Sequence, residues 1–135
     1  VQANRMRILG IDYGDKKIGL AFGDSIARVA VPLDVVPNLG KETLRVLAKK
    51  VSAEDIDCIV VGVPLSTGSH HSSKQLEKTR AFIKALESVV SIPVVEEDES
   101  YTSAESIRLQ REEGAQAHED ALAAMLIVQA YMERL

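Results

Sequence analysis

Residues Met6–Tyr13 form a run in which apolar side chains occupy both odd and even positions. Successive side chains of a β-strand point to opposite faces, so this pattern indicates a strand that is buried on both sides of a sheet. Such a strand needs packing layers above and below it, and 135 residues are enough for one core of this kind. The predicted strand ends at Asp12, which places a carboxylate at the boundary of the core.

The rest of the chain predicts four more strands and a series of helices. Strands are expected at Ile18–Gly23, Val29–Val36, Cys58–Val63 and Ile92–Glu96. The third contains Pro32, which argues for an edge position. Helices are expected at Glu42–Ser52, from Ser72 to about Val90, from Thr102 to about Arg111 and from about His118 to Leu135.

The order of these elements, β-β-β-α-β-α-β-α, predicts one α/β domain over residues 6–135. Three antiparallel-connected strands followed by parallel strands would form a five-stranded mixed sheet with helices on both faces. This order is that of the ribonuclease H-like architecture, although periodicity alone leaves a flavodoxin-like arrangement open. Residues 1–5 have no pattern and are expected to be a leader, either natural or left by cloning.

Composition narrows the class of protein. Sixteen Lys and Arg against twenty Asp and Glu give a formal net charge of −4, so a polyanionic partner would have to be held locally or through metal ions. The longest apolar run, Cys58–Val63, is far shorter than the roughly 20 residues of a membrane-spanning helix, and the N-terminus lacks a signal-peptide stretch. The single cysteine fits a reducing compartment. We therefore expect a cytoplasmic protein with no membrane partner.

Acidic residues follow the predicted strand ends. Asp12 ends the first strand, Asp98 and Glu99 follow the fifth, and Asp120 opens the last helix. Ligands of open α/β sheets bind beyond the carboxyl ends of the strands, which is where the first two sites lie. The positions that share a helix face with Asp120 are Ala123, Ala124, Ile127, Val128 and Tyr131. Asp120 therefore heads the stripe that packs on the sheet.

A carboxylate on the buried side of a helix is costly unless something compensates its charge. Mg²⁺ or Mn²⁺ offers that compensation, and two such ions roughly 4 Å apart can activate a water and stabilise the leaving oxygen of a phosphodiester. Each acid alone also has an ordinary explanation: a turn residue at Asp12, a solvated loop at Glu96–Glu99, and a helix N-terminal charge at Asp120. Only the joint pattern favours a metal-dependent nuclease.

Four motifs follow one another from Met6 to the C-terminus. They are Gly10–Gly14 with Lys17–Ala21, Val60–Leu65 with Gly68, Asp98–Ser103, and Asp120–Ala124. Together they resemble the YqgF family, also called RuvX-like, whose members are described as pre-16S rRNA nucleases or Holliday-junction resolvases. The resemblance implies a ribonuclease H-like fold and a hydrolase that cleaves phosphodiester bonds with Mg²⁺ or Mn²⁺.

Carried over by position, the resemblance implies that Asp12, Glu99 and Asp120 are the acidic triad, with Asp98 able to replace or orient a metal ligand. It implies processing of the 5′ end of pre-16S rRNA as the function. The alternative is a Holliday-junction resolvase acting on branched DNA, which would need two active sites and so a homodimer.

Lysines and one loop near the predicted acids are candidates for holding phosphate groups. Lys16 and Lys17 lie in the hairpin beside Asp12, and Lys74 lies on the helix after the fourth strand. The resemblance also places a loop beside the site, with Ser66, Thr67 and Gly68 as its phosphate-binding residues. The basic residues of the helix are better explained as a solvated face than as a track for the nucleic-acid backbone; they are Lys74, Lys78, Arg80 and Lys84. With no Trp, shape and backbone recognition of structured RNA or branched DNA is favoured over base stacking.

Two other functions stay open. The spacing of Asp12, Gly14 and Gly19 is similar to the phosphate loop of the sugar kinase, Hsp70 and actin superfamily, but 135 residues cannot form the two lobes that enclose ATP there. The second is a catalytically weakened nucleic-acid-binding or ribosome-assembly module. In its favour, Ser100 stands where the family usually has Arg, and Gln110–Glu119 is shorter than the family's usual basic loop.

Overall fold

The computed structural model describes residues 5–65, 70–99 and 117–135. In these ranges the chain forms five strands: β1 (Arg7–Asp12), β2 (Lys17–Asp24), β3 (Val29–Pro37), β4 (Cys58–Val63) and β5 (Val94–Asp98). It also forms three helices there: α1 (Lys41–Ala53), α2 (His70–Glu87) and α3 (Ala117–Glu133). None of these helices has the length and apolar character needed to cross a membrane. The helix predicted at residues 102–111 lies outside the described residues.

The five strands form one mixed sheet in the order β3-β2-β1-β4-β5. Strands β1, β2 and β3 pair antiparallel, and the β1–β2 ladder ends where Asp12 pairs with Gly19. Strands β4 and β5 run parallel to β1. The predicted meander, the parallel later strands and the edge position of the strand that contains Pro32 are all confirmed.

Apolar side chains cover both faces of the sheet, as the pattern of the first strand predicts. On one face, α1 and α2 pack over the sheet, and the buried side chains include Leu9, Ile11, Leu20, Leu47, Ile59 and Leu86. On the other face only α3 packs among the described elements, and the buried side chains include Ile8, Ala21, Val60, Ala124, Ile127 and Val128. Burying each large apolar side chain contributes roughly 1.5–3 kcal/mol, so the two clusters stabilise helices on both sides.

Helix α3 approaches the sheet closely because the strands present glycine to it. A Cβ added at Gly23 would lie 2.5 Å from a methyl of Val128, and one at Gly10 would overlap the same side chain. A Cβ at Gly19 would overlap the backbone carbonyl of Asp120 itself. Glycine at these positions therefore sets the distance between helix and sheet and fixes the first turn of α3 over β2.

The fifth strand lies two residues later than its predicted range of Ile92–Glu96. Pro93, which has no backbone N–H to donate, precedes the strand, and the ladder begins at the next residue. At the other end Glu97 and Asp98 continue the pairing with β4. The predicted boundaries are wrong because the composition of this charged run favours a solvated loop, whereas the hydrogen-bonded ladder runs through it to Asp98.

Gly19→Ala is expected to destabilise the protein more than Gly23→Ala. The new methyl at position 23 would meet a side chain that can move, whereas the one at position 19 would meet backbone that moves only with α3. Overpacking costs about 1–3 kcal/mol, so we expect a loss in this range for Gly23→Ala and a larger one for Gly19→Ala. Urea denaturation of the two variants measures the difference.

The control is a second substitution, Val128→Ala. It should offset part of the loss caused by Gly23→Ala, because it removes the methyl groups that the new Cβ would meet. It should leave the loss caused by Gly19→Ala uncompensated. Equal losses for the two glycine variants, or equal rescue, would contradict this account of the helix position.

Candidate active site

Among the described residues, four carboxylates are buried on the sheet face that α3 covers. They are Asp12 on β1, Glu97 on β5, Glu99 directly after β5, and Asp120 in the first turn of α3, and they are 1–8% exposed. Burial on this scale is rare for acidic residues that have no compensating partner or ligand. Three of the four are predicted from the sequence, and Glu97 is not.

Asp12 and Asp120 are brought together by Gly19. Asp12 pairs with Gly19 across the β1–β2 ladder, and paired residues of neighbouring strands point to the same face. A Cβ on Gly19 would lie 2.9 Å from the Cβ of Asp120, so the helix residue sits directly over this glycine. The two acids are therefore neighbours at the carboxyl end of β1.

Glu99 reaches the same face on the other side of β1. A Cβ on Gly62 would lie 2.9 Å from Oε2 of Glu99, so this carboxylate sits over β4 in the space that a side chain at position 62 would fill. The last pair of the β1–β4 ladder is Ile11 with Val61, and one further step places Asp12 level with Gly62.

Gly19, Asp12 and Gly62 therefore form a row across three adjacent strands, and we refer to it as the glycine–aspartate row. Neighbouring strands are about 4.8 Å apart, so Asp12 stands in the middle of a strip roughly 10 Å wide. Asp120 lies over one end of the row and Glu99 over the other. The three acids that are grouped from the sequence therefore lie along this row, with Asp12 between the other two.

Asp98 points to the other side of the sheet. Side chains alternate along β5, so Glu96 and Asp98 face α2, while Glu97 faces α3. Glu96 bears this out, because Arg80 of α2 donates to its two carboxylate oxygens at 2.8 and 3.0 Å. Asp98 is half-buried and pairs with Val63 at the end of the ladder. The structure thus separates the two neighbouring acids that the sequence left as alternative ligands.

Glu97 is held by Arg134, which directly follows the last residue of α3. Arg134 Nη2 donates to Glu97 Oε1 at 2.6 Å, which ties the end of the helix to the edge strand. Burial raises the pKa of Glu97, and the charge of Arg134 opposes that rise. The alternation of Val95 and Glu97 on one strand face is the sequence signal that could have identified this residue as buried.

Carboxylate oxygens are the ligands that Mg²⁺ and Mn²⁺ prefer, so the donor set around the glycine–aspartate row fits such an ion. Within the described ranges, no three His, Cys, Asp or Glu side chains are grouped as a ready-made set of ligands to one ion. Mg²⁺ usually takes only one or two carboxylates and completes its shell with water and substrate phosphate oxygens. The residues present are compatible with that open kind of site.

The predicted phosphate-binding residues divide into two groups. Lys16 and Lys17, at the β1–β2 turn, and Lys74, in α2, are exposed. The loop residues Ser66, Thr67 and Gly68 lie outside the described residues, and so do Ser100 and most of the shortened stretch before Asp120.

Comparison with protein families identifies one match over nearly the whole chain. A family model described as "RuvX: Holliday junction resolvase" matches residues 6–134. A protein from Syntrophus aciditrophicus is 34% identical over 136 residues, which cover 96% of this chain and 90% of the relative. One from Koribacter versatilis is 37% identical over 134 residues, covering 95% and 87%. Both relatives are named "Putative pre-16S rRNA nuclease".

Solved structures with the same architecture include two resolvases. RuvC of Thermus thermophilus, in complex with a Holliday junction substrate, aligns with a TM-score of 0.59 at 14% identity and covers 96% of both chains. The fowlpox virus Holliday junction resolvase aligns with a TM-score of 0.56 at 16% identity, covering 96% of this chain and all of the other. At this level of identity the likeness concerns the fold, and it confirms the ribonuclease H-like architecture.

Arg134→Met is expected to destabilise the protein more at pH 8 than at pH 4. The pKa of Glu97 is already raised in the folded protein, and loss of the guanidinium raises it further. The contribution of Glu97 to stability is therefore fully present below its unfolded-state pKa of about 4.3 and is lost as the pH rises through the folded-state value. We expect a difference of about 1–3 kcal/mol at pH 8. It stays below the cost of breaking a fully buried pair because the Arg134 side chain is 64% exposed.

Glu97→Gln supplies the matched background for this measurement. With no ionisable group at position 97, Arg134→Met should have a small effect that is the same at both pH values. Urea denaturation of the four proteins at pH 4 and pH 8 gives the comparison. A stability difference that does not grow with pH would show that Arg134 acts through packing alone.

Proposed function

The chain belongs to the RuvX family, and from this premise we propose that it is a metal-dependent endonuclease that processes the 5′ end of pre-16S rRNA. The observation that carries the proposal is the glycine–aspartate row, with Asp120 over one end and Glu99 over the other. The names of the curated relatives support the RNA precursor as substrate. The family description supports a Holliday junction as the alternative substrate.

We assign metal binding and catalysis to Asp12, Glu99 and Asp120. When bound, one or two Mg²⁺ or Mn²⁺ ions supply an activated water and stabilise the charge on the leaving oxygen. Asp12 lies between the other two acids and would hold an ion together with Asp120 or with Glu99. Asp120 lies in the first turn of α3, at the positive end of the helix dipole, and burial of Glu99 restrains its carboxylate. Asp98 is the weaker candidate, because strand alternation directs it to the α2 side.

Asp12→Asn is expected to lower the rate of metal-dependent cleavage by about 10²-fold or more while leaving the fold intact, because the amide keeps the shape and removes the charge that holds the ion. Glu99→Gln is expected to act in the same direction. Asp98→Asn is the matched control: it changes the neighbouring acid by the same chemistry and is expected to retain most of the activity.

The measurement is cleavage of two substrates, a transcript that carries the 5′ extension of 16S rRNA and a four-way DNA junction, each with Mg²⁺ and with Mn²⁺. Circular dichroism verifies the fold of each variant, and electron paramagnetic resonance measures Mn²⁺ binding directly. Cleavage of the junction alone would overturn the rRNA assignment in favour of the resolvase. Nucleic-acid binding without cleavage by the wild-type protein would overturn both in favour of the binding module.

The oligomeric state follows from the substrate. Resolution of a junction needs two cuts, and we propose that the protein acts as a homodimer if the junction is its substrate. A monomer is sufficient for a single cut in an RNA precursor. We also propose a cytoplasmic location, which is supported by an rRNA precursor as substrate and by the free, buried thiol of Cys58.

A further inference from the structure

Helix α2 lies beside the hairpin that connects β1 to β2. The rings of Tyr13 and Phe82 stack with their centroids 4.6 Å apart, which fixes the helix against the end of β1. One turn of helix earlier, the Nζ atom of Lys78 lies 3.3 and 3.4 Å from the two carboxylate oxygens of Asp15. Lys78 therefore stands at the hairpin that immediately follows Asp12.

The ion pair between Lys78 and Asp15 is loosely held. Both distances lie beyond the usual range of a strong hydrogen bond, and the two side chains are 49% and 58% exposed. An exposed pair of this kind contributes little to stability, since water and salt screen it and two flexible side chains lose freedom when they form it. Opening the pair to make room for another anion therefore costs little.

Arg80, on the same helix, provides the contrast. It makes two hydrogen bonds to Glu96 at 2.8 and 3.0 Å, and this pairing raises the pKa of Arg80 and lowers that of Glu96. A bidentate pair fixes the arginine in one orientation against β5. Of the two cations on this helix with described ion pairs, Arg80 is engaged in holding the fold and Lys78 is the one that can exchange its partner.

Three more lysines lie near this pair. Lys74 precedes Lys78 by one turn of the helix and shares its side, and Lys16 and Lys17 follow Asp15 in the hairpin; all three are exposed. Four lysines with one aspartate form a local positive group in a chain whose net charge is −4. A phosphate near this group responds mainly to it, because charges more than about 8 Å away are screened at physiological salt.

We propose that Lys78 binds a backbone phosphate of the nucleic acid and that Asp15 competes with that phosphate for it. In the free protein the Asp15 carboxylate holds Lys78; when nucleic acid binds, a phosphodiester oxygen takes its place. The inference rests on the proposed function, because it takes a nucleic acid as the substrate. The phosphodiester is common to RNA and DNA, so Lys78 contributes affinity and leaves the choice of sequence to other contacts.

The test is binding of a fluorescent four-way DNA junction and of a fluorescent hairpin RNA to the intact chain, measured by anisotropy in EDTA so that no cleavage occurs. Salt is varied between about 50 and 200 mM. At the lowest salt concentration, Lys78→Ala is expected to weaken binding about three- to tenfold. It is also expected to reduce the slope of log affinity against log salt concentration by about 1. Asp15→Asn is expected to tighten binding about two- to fivefold by releasing Lys78.

Lys84→Ala is the matched control. It removes the same charge from the same helix, but position 84 lies six residues further from the hairpin, about 9 Å along the helix axis, and is exposed on another side. Its effect on affinity is expected to stay below about twofold with an unchanged salt slope. Circular dichroism and urea midpoints identify any variant whose fold has changed.

The outcomes separate this inference from the proposed function. If the wild-type protein binds neither nucleic acid, the inference on Lys78 and the proposed function are both wrong. If it binds but Lys78→Ala behaves like Lys84→Ala, the inference on Lys78 falls and the proposed function stands. The double variant Asp15→Asn/Lys78→Ala tests the competition itself. If Asp15→Asn no longer tightens binding once Lys78 is absent, Asp15 and the phosphate compete for Lys78. If Asp15→Asn still tightens binding in full, the proposal is wrong, because Asp15 then acts by repelling phosphates in general.

Discussion

The close approach of α3 to the sheet determines where the acidic residues lie. Glycines at positions 10, 19, 23 and 62 face this helix from three strands, and at each a Cβ would overlap or crowd another group. Glycine inside a strand has no side chain to pack and loses more backbone freedom than other residues on folding. On the α3 face these glycines destabilise the strands but allow the helix to approach closely. As a result, Asp120 and Glu99 lie on either side of Asp12.

The same face carries a second cost, because it buries carboxylates. Desolvation and mutual repulsion both disfavour several acids in one small volume. At Glu97 the chain supplies its own compensation through Arg134, and at Asp120 the helix N-terminus contributes. A divalent cation bound by the acids of the glycine–aspartate row would stabilise the folded protein by mass action. Buried carboxylates thus lie where we propose that the chemistry occurs, and a local cost of this kind is typical of functional sites.

Short-range patterns were sufficient to predict the sheet but not the meeting of the acids. The two-sided apolar run at Met6–Tyr13 predicts helices on both faces, and Pro32 predicts the edge strand. The proximity of Asp12 and Asp120 depends on one ladder register and on the helix approach at Gly19, which involve residues a hundred positions apart. Periodicity carries no information on such contacts. The rule that ligands bind beyond the carboxyl ends of strands groups the acids only at one rim, and the family resemblance then implies that three of them act as a triad. Glu97 was missed because composition describes a run of acids as solvated, whereas strand alternation buries every second one.

The end of β1 explains how an acidic chain can act on a polyanion. Asp12 points to the α3 side, and the next residue, Tyr13, stacks on Phe82 on the α2 side. Two consecutive residues thus connect the buried acids on one face with the exposed Lys78–Asp15 pair on the α2 side. A nucleic-acid strand bound at Lys78, as we propose, has to cross only the rim of the sheet to bring a phosphodiester over Asp12. Salt screening limits the effect of each charge to its near surroundings. The net charge of the chain therefore matters less than the separation of the buried acids from the exposed Lys78–Asp15 pair at the end of β1.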